Sequence, residues 1–276
     1  MITINHLKDT STLSCFLGQE YLKHYTGNKK FYIQLLDNKL IGFFSTVVRD
    51  RTELWIEDIN IISREHNELA IDSIYKYAVN NSTDFSAIYL LSVENVELLK
   101  KYKKVKYFYN SFYLCKALNC KKIRKSEEFL KLNNSLKEKL SILMKDSYDL
   151  EKNKSFDMKK VTKQIDSIFS NKQGHLLQDS SFVILDQKKD KIIAASIITL
   201  RDGRPFLLHL MVHPEYQRIG LGRKVLEHSS NSLHENRYKT LELYVYEKNT
   251  KALDLYYKNE FKNYIAGSIG TFRLTN

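Results

Sequence analysis

Along this chain the apolar residues alternate in some stretches and recur every three to four residues in others. Lys30 to Leu36 (KFYIQLL) reads as a strand, Asp37-Asn38-Lys39 as a turn, and Leu40 to Val48 as a second strand, which together predict a hairpin. Leu54 to Ile62 (LWIEDINII) is a third strand. Glu68 to Ala78 places Leu69, Ile71, Ile74, Tyr75 and Ala78 near helical spacing. Ala87 to Val93 follows as a strand, Val96 to Tyr102 as a short helix, and Tyr107 to Leu118 as a strand rich in aromatics.

The second half runs in the same order. Phe182 to Leu185, a polar turn at Gln187 to Asp190, and Ile192 to Leu200 make a hairpin. Leu207 to Val212 is the third strand and Leu221 to Leu233 the helix. Leu241 to Tyr246, Thr250 to Lys258 and Tyr264 to Leu274 supply strand, helix and strand. Laying Arg49-Asp50 on Arg201-Asp202, and Asn95 with Tyr102 on Asn249 with Tyr256, gives offsets of 152 and 154 residues. That near-constancy predicts a tandem repeat of one fold. Between the halves, Ser126 to Ser170 reads as helical. One stripe holds Phe129, Leu132, Leu136, Leu140 and Leu143, and another Met158, Val161, Ile165 and Ile168, with Asp157 as a cap.

Composition narrows the class. In 276 residues, 43% hydrophobic content with two prolines and nine glycines describes a folded protein, not a linker-rich or disordered one. Cys15, Cys115 and Cys120 form no C-x-x-C pair, so neither a disulfide framework nor a zinc site is expected, and a reducing cytoplasm fits. The first residues lack a basic region followed by an apolar core, which argues against a signal peptide, and no apolar run reaches membrane-spanning length. The formal charge of +12 suits a nucleic acid, an anionic surface or a phosphate-rich small molecule. Lysines are scattered, with local runs such as Lys100 to Lys104, and no arginine-rich stripe appears. A solvated basic surface is the simpler reading.

Chemistry concentrates in Leu207 to Leu226 (LLHLMVHPEYQRIGLGRKVL). An apolar strand enters a proline turn, then the loop Gln217-Arg218-Ile219-Gly220-Leu221-Gly222, then a helix. Glycine lets an anion approach the backbone closely. The first amides of the helix point at that spot and its dipole favours negative charge there. Arg218, Arg223 and Lys224 add positive charge, so a pyrophosphate suits the loop. No Gly-Lys-Ser/Thr follows, which excludes a Walker loop, and the glycine spacing excludes a dinucleotide fingerprint. An ordinary strand–turn–helix with a glycine turn is the plain alternative.

The pattern Val212-x-Pro214-x-x-Gln217-x-x-Gly220-x-Gly222 resembles the acetyl-CoA-binding motif of the GNAT acetyltransferase superfamily. The resemblance implies an α/β fold of two tandem GNAT-like domains, each a mostly antiparallel mixed sheet flanked by helices. A domain at 1–120 would lack a cofactor loop, because Glu65, Glu68 and Ala70 stand where Gln217, Gly220 and Gly222 stand later. A catalytic domain at 121–276 would bind acetyl-CoA, with no metal. Leu210, Met211 and Val212 would give backbone groups to the pantetheine arm, with the amide near Met211 polarising the thioester carbonyl. Gln217, Arg218, Ile219, Gly220, Leu221 and Gly222 would take the pyrophosphate, with Arg223 beside it. Asn249-x-x-Ala252-x-x-Leu255-Tyr256 resembles the family's second signature, in which Asn249 caps a helix and reaches the cofactor arm. Tyr256 resembles the tyrosine that protonates the departing thiolate, and a phenol with an ordinary pKa near ~10 holds that proton at pH 7. The family's usual Gly-Phe is here Glu260-Phe261, so Glu260 either avoids positive φ or adopts it at a cost.

For the general base, His209 and Glu242 are the candidates, although strand alternation turns His209 away from Leu208 and Leu210. The reading is a cytoplasmic acetyl-CoA-dependent N-acetyltransferase acting by direct attack of a primary amine, small molecule or peptide, in a ternary complex. Membrane and nucleic-acid partners are disfavoured, and GNAT domains often pair as homodimers. Two rivals stand beside it: a tandem-GNAT-type aminoacyl transferase using tRNA, and a non-catalytic acyl-CoA-binding regulator.

Overall fold

The computed structural model describes residues 2–8, 29–49, 52–92, 96–119, 129–148, 157–201, 203–264 and 268–274. Cys15, Asp50, Asn95, Cys120 and Asp202 lie outside them. The chain divides into two compact units. One holds Met1–Tyr113, Val245–Lys248 and Ile265–Asn276, and the other Leu114–Tyr244 and Asn249–Tyr264.

In the first unit, β1 (Ile2–Leu7), β2 (Lys29–Leu36), β3 (Lys39–Arg49) and β4 (Glu53–Ile61) form an antiparallel run. The β2–β3 turn is tight because Asp37 and Asn38 both adopt positive φ, at 49° and 63°, the conformation a two-residue hairpin needs. Helix α1 (Asn67–Asn80) crosses to β5 (Ala87–Ser92), which lies parallel to β4, and α2 (Val96–Lys100) leads to β6 (Val105–Ala117). Ile71, Ile74 and Ala78 of α1 pack on Phe44, Leu54, Ile56, Ile88 and Leu90.

The second unit contains β7 (Phe129–Lys131), α3 (Lys137–Tyr148), α4 (Met158–Phe169), β8 (His175–Leu176), β9 (Phe182–Asp186), β10 (Lys191–Arg201), β11 (Arg204–Val212), α5 (Leu221–Glu235), β12 (Thr240–Tyr246), α6 (Thr250–Lys258) and β13 (Lys262–Asn263). Its strands run in the order β12-β11-β10-β9-β7. Helices α3 and α4 bury Leu140, Leu143, Met144, Val161, Ile165 and Ile168 against Ala195, Ile197 and Met211 on one face. Helix α5 covers the other through Leu221 and Val225, against Phe182, Ile184 and Ala194. As expected, Asp157 caps α4 and accepts from the Lys159 amide at 3.1 Å.

Two elements differ from the sequence reading. Phe129 to Lys131 is a strand, not part of a helical stripe. It adds to β9 with Phe129 opposite Ile184. The final strand, β14 (Ile269–Leu274), belongs to the first unit's sheet, between β5 and β6. Phe272 and Leu274 enter the same core as Leu54 and Ile88, and that burial drives the placement. Among the described residues, no helix is long and apolar enough to cross a membrane.

Candidate functional site

The site is built on a strand that parts from its neighbour. β11 and β12 run parallel and pair at Phe206 and Glu242. Beyond that point β11 continues to Val212 on β10 alone. The His213 amide donates to the Ile193 carbonyl at 2.8 Å. By the two-residue period of an antiparallel ladder, His209 and Met211 therefore also turn their peptide groups to β10, and Leu210 and Val212 turn theirs to the open side. Consistently, the Val212 carbonyl accepts the Gln217 side-chain amide at 3.2 Å. So the groups facing the fork are those of Leu210 and Val212. The Met211 amide expected there faces β10, and its side chain is buried under α3 and α4.

The register of β10 and β11 jumps between Ile197, opposite His209, and Ile198, opposite Leu207. Leu208 is thus an extra residue, and the bulge breaks the alternation assumed from sequence. Leu208 packs with Met211 beneath α3 and α4, and His209 meets residues of the same two helices. Phe206 and its partner Glu242 share that face.

After β11, Pro214–Tyr216 forms a single 3-10 turn, fixed when the His213 imidazole accepts the Glu215 amide and Lys191 pairs with Glu215 at 3.1 Å. Arg218 then adopts φ 65° and Gly220, the N-cap of α5, φ 87°. No side chain caps this helix. The first amide closing its ladder is Lys224, onto the Gly220 carbonyl at 3.0 Å, so the preceding amides have no acceptor within the helix. Among the described residues, apart from its chain neighbours, nothing lies within 4 Å of a Cβ placed on Gly220. Gly222 serves differently: a Cβ there would stand 3.3 Å from Val212 and 3.6 Å from Leu255, so this glycine sets how closely α5 lies to β11 and α6. Leu221 is buried, whereas Gln217, Arg218 and Ile219 are exposed. Arg223 points along the helix to Glu227, at 2.8 Å, not back to the loop.

Asn249 is the N-cap of α6 and accepts from the Ala252 amide at 3.2 Å. About two turns on, Tyr256 is buried with its ring 5.5 Å from that of Phe261. Burial first, and then the nearby Tyr148, raise its pKa, so the phenol keeps its proton. Glu260 takes φ 69°, accepting the left-handed conformation where the family pattern has glycine.

Neither candidate base is unoccupied. The Glu242 carboxylate, 4% exposed, pairs with Arg204 at 2.9 Å. His209 is held on both ring nitrogens, by Tyr148 Oη at 3.0 Å from Nδ1 and Gln164 Nε2 at 3.2 Å from Nε2. Burial, and then the charge of Arg201, lower its pKa to about 4, so it is neutral at pH 7. Tyr148, Gln164 and Arg204 were not singled out from sequence. Tyr148 and Gln164 lie 61 and 45 residues from His209, and only packing of α3 and α4 on the sheet unites them.

Residues 142–261 match the family model described as Acetyltransferase (GNAT) family, a span that includes the loop, Asn249 and Tyr256. No curated protein matches the sequence. Among solved structures, a GCN5-related N-acetyltransferase from Sphaerobacter thermophilus aligns over 99% of this chain and 95% of its own, with TM-score 0.68 and 8% identity. An acetyltransferase of the GNAT family from Colwellia psychrerythraea covers 99% and 100%, at TM-score 0.54 and 13% identity. A tandem GNAT protein from the clavulanic acid biosynthesis pathway covers 99% and 98%, at TM-score 0.58 and 9% identity. At such identities the likeness is one of fold. Residues 142–261 of this chain thus match a GNAT acetyltransferase family domain.

Proposed function

We propose that this protein is an acetyl-CoA-dependent N-acetyltransferase with one active site per chain. The observation that carries the reading is the junction of β11 and α5. There an open strand edge runs directly into a helix N-terminus capped by a left-handed glycine, with no side-chain cap among the described residues. A CoA thioester fits both parts. Its pyrophosphate suits the unpaired amides and dipole of α5, and its amide-bearing arm suits the outward peptide groups of Leu210 and Val212.

Within this reading the chemistry is direct attack of a neutral primary amine on the thioester carbonyl. The open-edge amides of β11 support the charge that develops on oxygen. Tyr256, protonated at neutral pH, is the donor for the departing sulfur. The acceptor is a small molecule or peptide amine, and His209 and Glu242 stay the candidates for its general base. In the first unit, Glu65, Glu68 and Ala70 replace the loop's glutamine and glycines, and Glu68 pairs with Lys101 at 2.9 Å. Two carboxylates there disfavour a pyrophosphate.

The test is calorimetric titration with acetyl-CoA beside a Gly220→Asp variant. Apart from the chain neighbours, no described residue lies within 4 Å of that Cβ position, so the variant adds charge with room for its Cβ, and aspartate tolerates positive φ better than most residues. One site per chain, lost in the variant, is the expected result. Two sites would overturn the silence of the first unit, and no binding would sink the acetyltransferase reading.

A further inference from the structure

We infer that His213 is a positioning residue for the cofactor's pyrophosphate, holding the turn that leads into the loop by a relay from Asp146 on α3 to the Glu215 amide. This rests on the acetyl-CoA reading above and gives a task to two residues that neither sequence signature specifies.

His213 is the point at which the chain leaves the sheet. Its amide still donates to the Ile193 carbonyl on β10 at 2.8 Å, whereas the residues after it fold back on themselves. Tyr216 donates to the His213 carbonyl at 2.9 Å and Gln217 to the Pro214 carbonyl at 3.3 Å. The imidazole, 13% exposed, works on the same turn. Its Nδ1 accepts the Glu215 amide at 3.3 Å, and its Nε2 lies 3.4 Å from Asp146 Oδ2. A backbone amide only donates, so Nδ1 is the accepting nitrogen and a neutral imidazole carries its hydrogen on Nε2. That hydrogen is the one facing the carboxylate. Lys191 Nζ stands 3.5 Å from Nε2 but is itself only a donor, and it turns to Glu215 at 3.1 Å.

Both ends of the relay are held. Leu143 and Met144 of α3 share a core with Met211 of β11, so packing sets the distance from Asp146 to the strand end. The His213 ring meets that of Tyr216 edge-on at 5.7 Å, and Tyr216 Oη donates to Asp186 Oδ2, at the end of β9, at 2.6 Å. The turn is thus tied to α3 through His213, to β10 through Glu215 and to β9 through Tyr216. The His213 tie reaches the turn's backbone, and the other two end on side chains. Gln217 follows at once and Gly220 soon after, so the seat of this turn decides where the first amides of α5 point. A loop set before the anion arrives loses less freedom on binding. An unbraced loop spends time in other shapes, and apparent affinity falls with the fraction that is competent. The relay therefore acts on binding and not on the chemical step.

The probes are acetyl-CoA and adenosine 3′-phosphate 5′-diphosphate, the part of it that ends at the pyrophosphate, each titrated calorimetrically into the full chain. His213→Ala removes both contacts and should weaken the two ligands by the same factor, about 5-fold or more, the equilibrium equivalent of one lost cap. His213→Asn, whose carboxamide oxygen can still accept an amide two residues on, should recover most of that loss. Asp146→Ala should weaken binding by a smaller factor and add nothing in the His213→Ala background, where the relay is already cut. Melting midpoints should stay within about 4 °C of wild type, so that the affinity change reports the loop and not the fold. Should His213→Ala fail to fold, Asp146→Ala carries the comparison of the two ligands. Wild-type affinity in His213→Ala overturns the role of His213 and leaves the acetyltransferase reading standing. Additive losses from the two substitutions overturn the relay to Asp146. A loss for acetyl-CoA with none for the diphosphate puts the effect in the pantetheine arm and overturns the inference as well. Absence of acetyl-CoA binding to wild type overturns both readings.

Discussion

Arg204 Nη1 lies 2.9 Å from Glu242 Oε1 across the paired ends of β11 and β12, with the two side chains 22% and 5% exposed. A carboxylate so far from water is stable as an ion because the guanidinium faces it. Removing one partner takes from the other the opposite charge that faces it. Arg204→Ala should therefore destabilise the second unit by about 3 kcal/mol, measured by urea unfolding. Glu242→Gln, which keeps the shape and an acceptor for Arg204, should cost clearly less. Equal losses would show that packing, not the ion pair, holds this junction.

The two loop glycines make opposite predictions. Gly220 sits at φ 87° with empty space around its Cβ position, so Gly220→Ala should cost about 1–2 kcal/mol through backbone conformation alone. Gly222 lies inside the first turn of α5, where alanine gains about 1 kcal/mol of helix propensity but must displace Val212 by a few tenths of an ångström. Gly222→Ala should leave thermal stability nearly unchanged while weakening acetyl-CoA binding, because it pushes α5 away from the strand. The pair of variants, compared by calorimetry and thermal melting, separates the conformational glycine from the spacing glycine.

Much of this architecture is legible in local sequence, for a physical reason. Strand alternation, the helix stripe Val161, Ile165, Ile168, and the caps Asp157 and Asn249 are all set by residues within a few positions of each other. The glycines of the loop are legible because the positive φ of Gly220 and the close packing at Gly222 both favour the smallest residue. What stayed hidden depends on distant partners. The last strand could have closed either half, and only the burial of Phe272 and Leu274 beside Leu54 and Ile88 decides between them. The bulge at Leu208 has no local signature, so simple alternation turns His209 away from Leu208, an alternation that β11 does not keep. Tyr148 looks like any helix-terminal aromatic until α3 packs it on His209.

Two partly buried histidines give the protein an acid-sensitive stability. The His209 pKa is lowered to about 4 by burial and Arg201, and that of His228, stacked on Phe129 at 4.1 Å, is lowered by burial. A depressed histidine pKa means that the unfolded chain binds protons first. Stability is then complete above an unfolded value near ~6.5 and falls as pH drops from there to about 4. At ~1.4 kcal/mol per pKa unit, His209 alone accounts for about 3 kcal/mol of that loss. His209→Gln should flatten the decline in unfolding free energy between pH 6.5 and 4 relative to wild type. Parallel curves for the two proteins would show that His209 titrates in the same way folded and unfolded.

Tyr256 offers the sharpest separation of structure from chemistry. Its ring is buried and packs on Phe261 at 5.5 Å, whereas its hydroxyl is the group assigned to the departing sulfur. Tyr256→Phe keeps the ring and removes only the oxygen, so stability should change by less than about 1.5 kcal/mol and acetyl-CoA affinity by less than ~2-fold. Turnover should fall by about 100-fold, with the loss in kcat and not in KM, since the proton is needed only as the C–S bond breaks. The raised pKa of the phenol adds a further constraint: the wild-type rate should show no alkaline decline from Tyr256 near pH 10, where an unshifted tyrosine would lose its proton. If Tyr256→Phe turns over at the wild-type rate, the thiolate leaves without help from this residue, and its burial is structural.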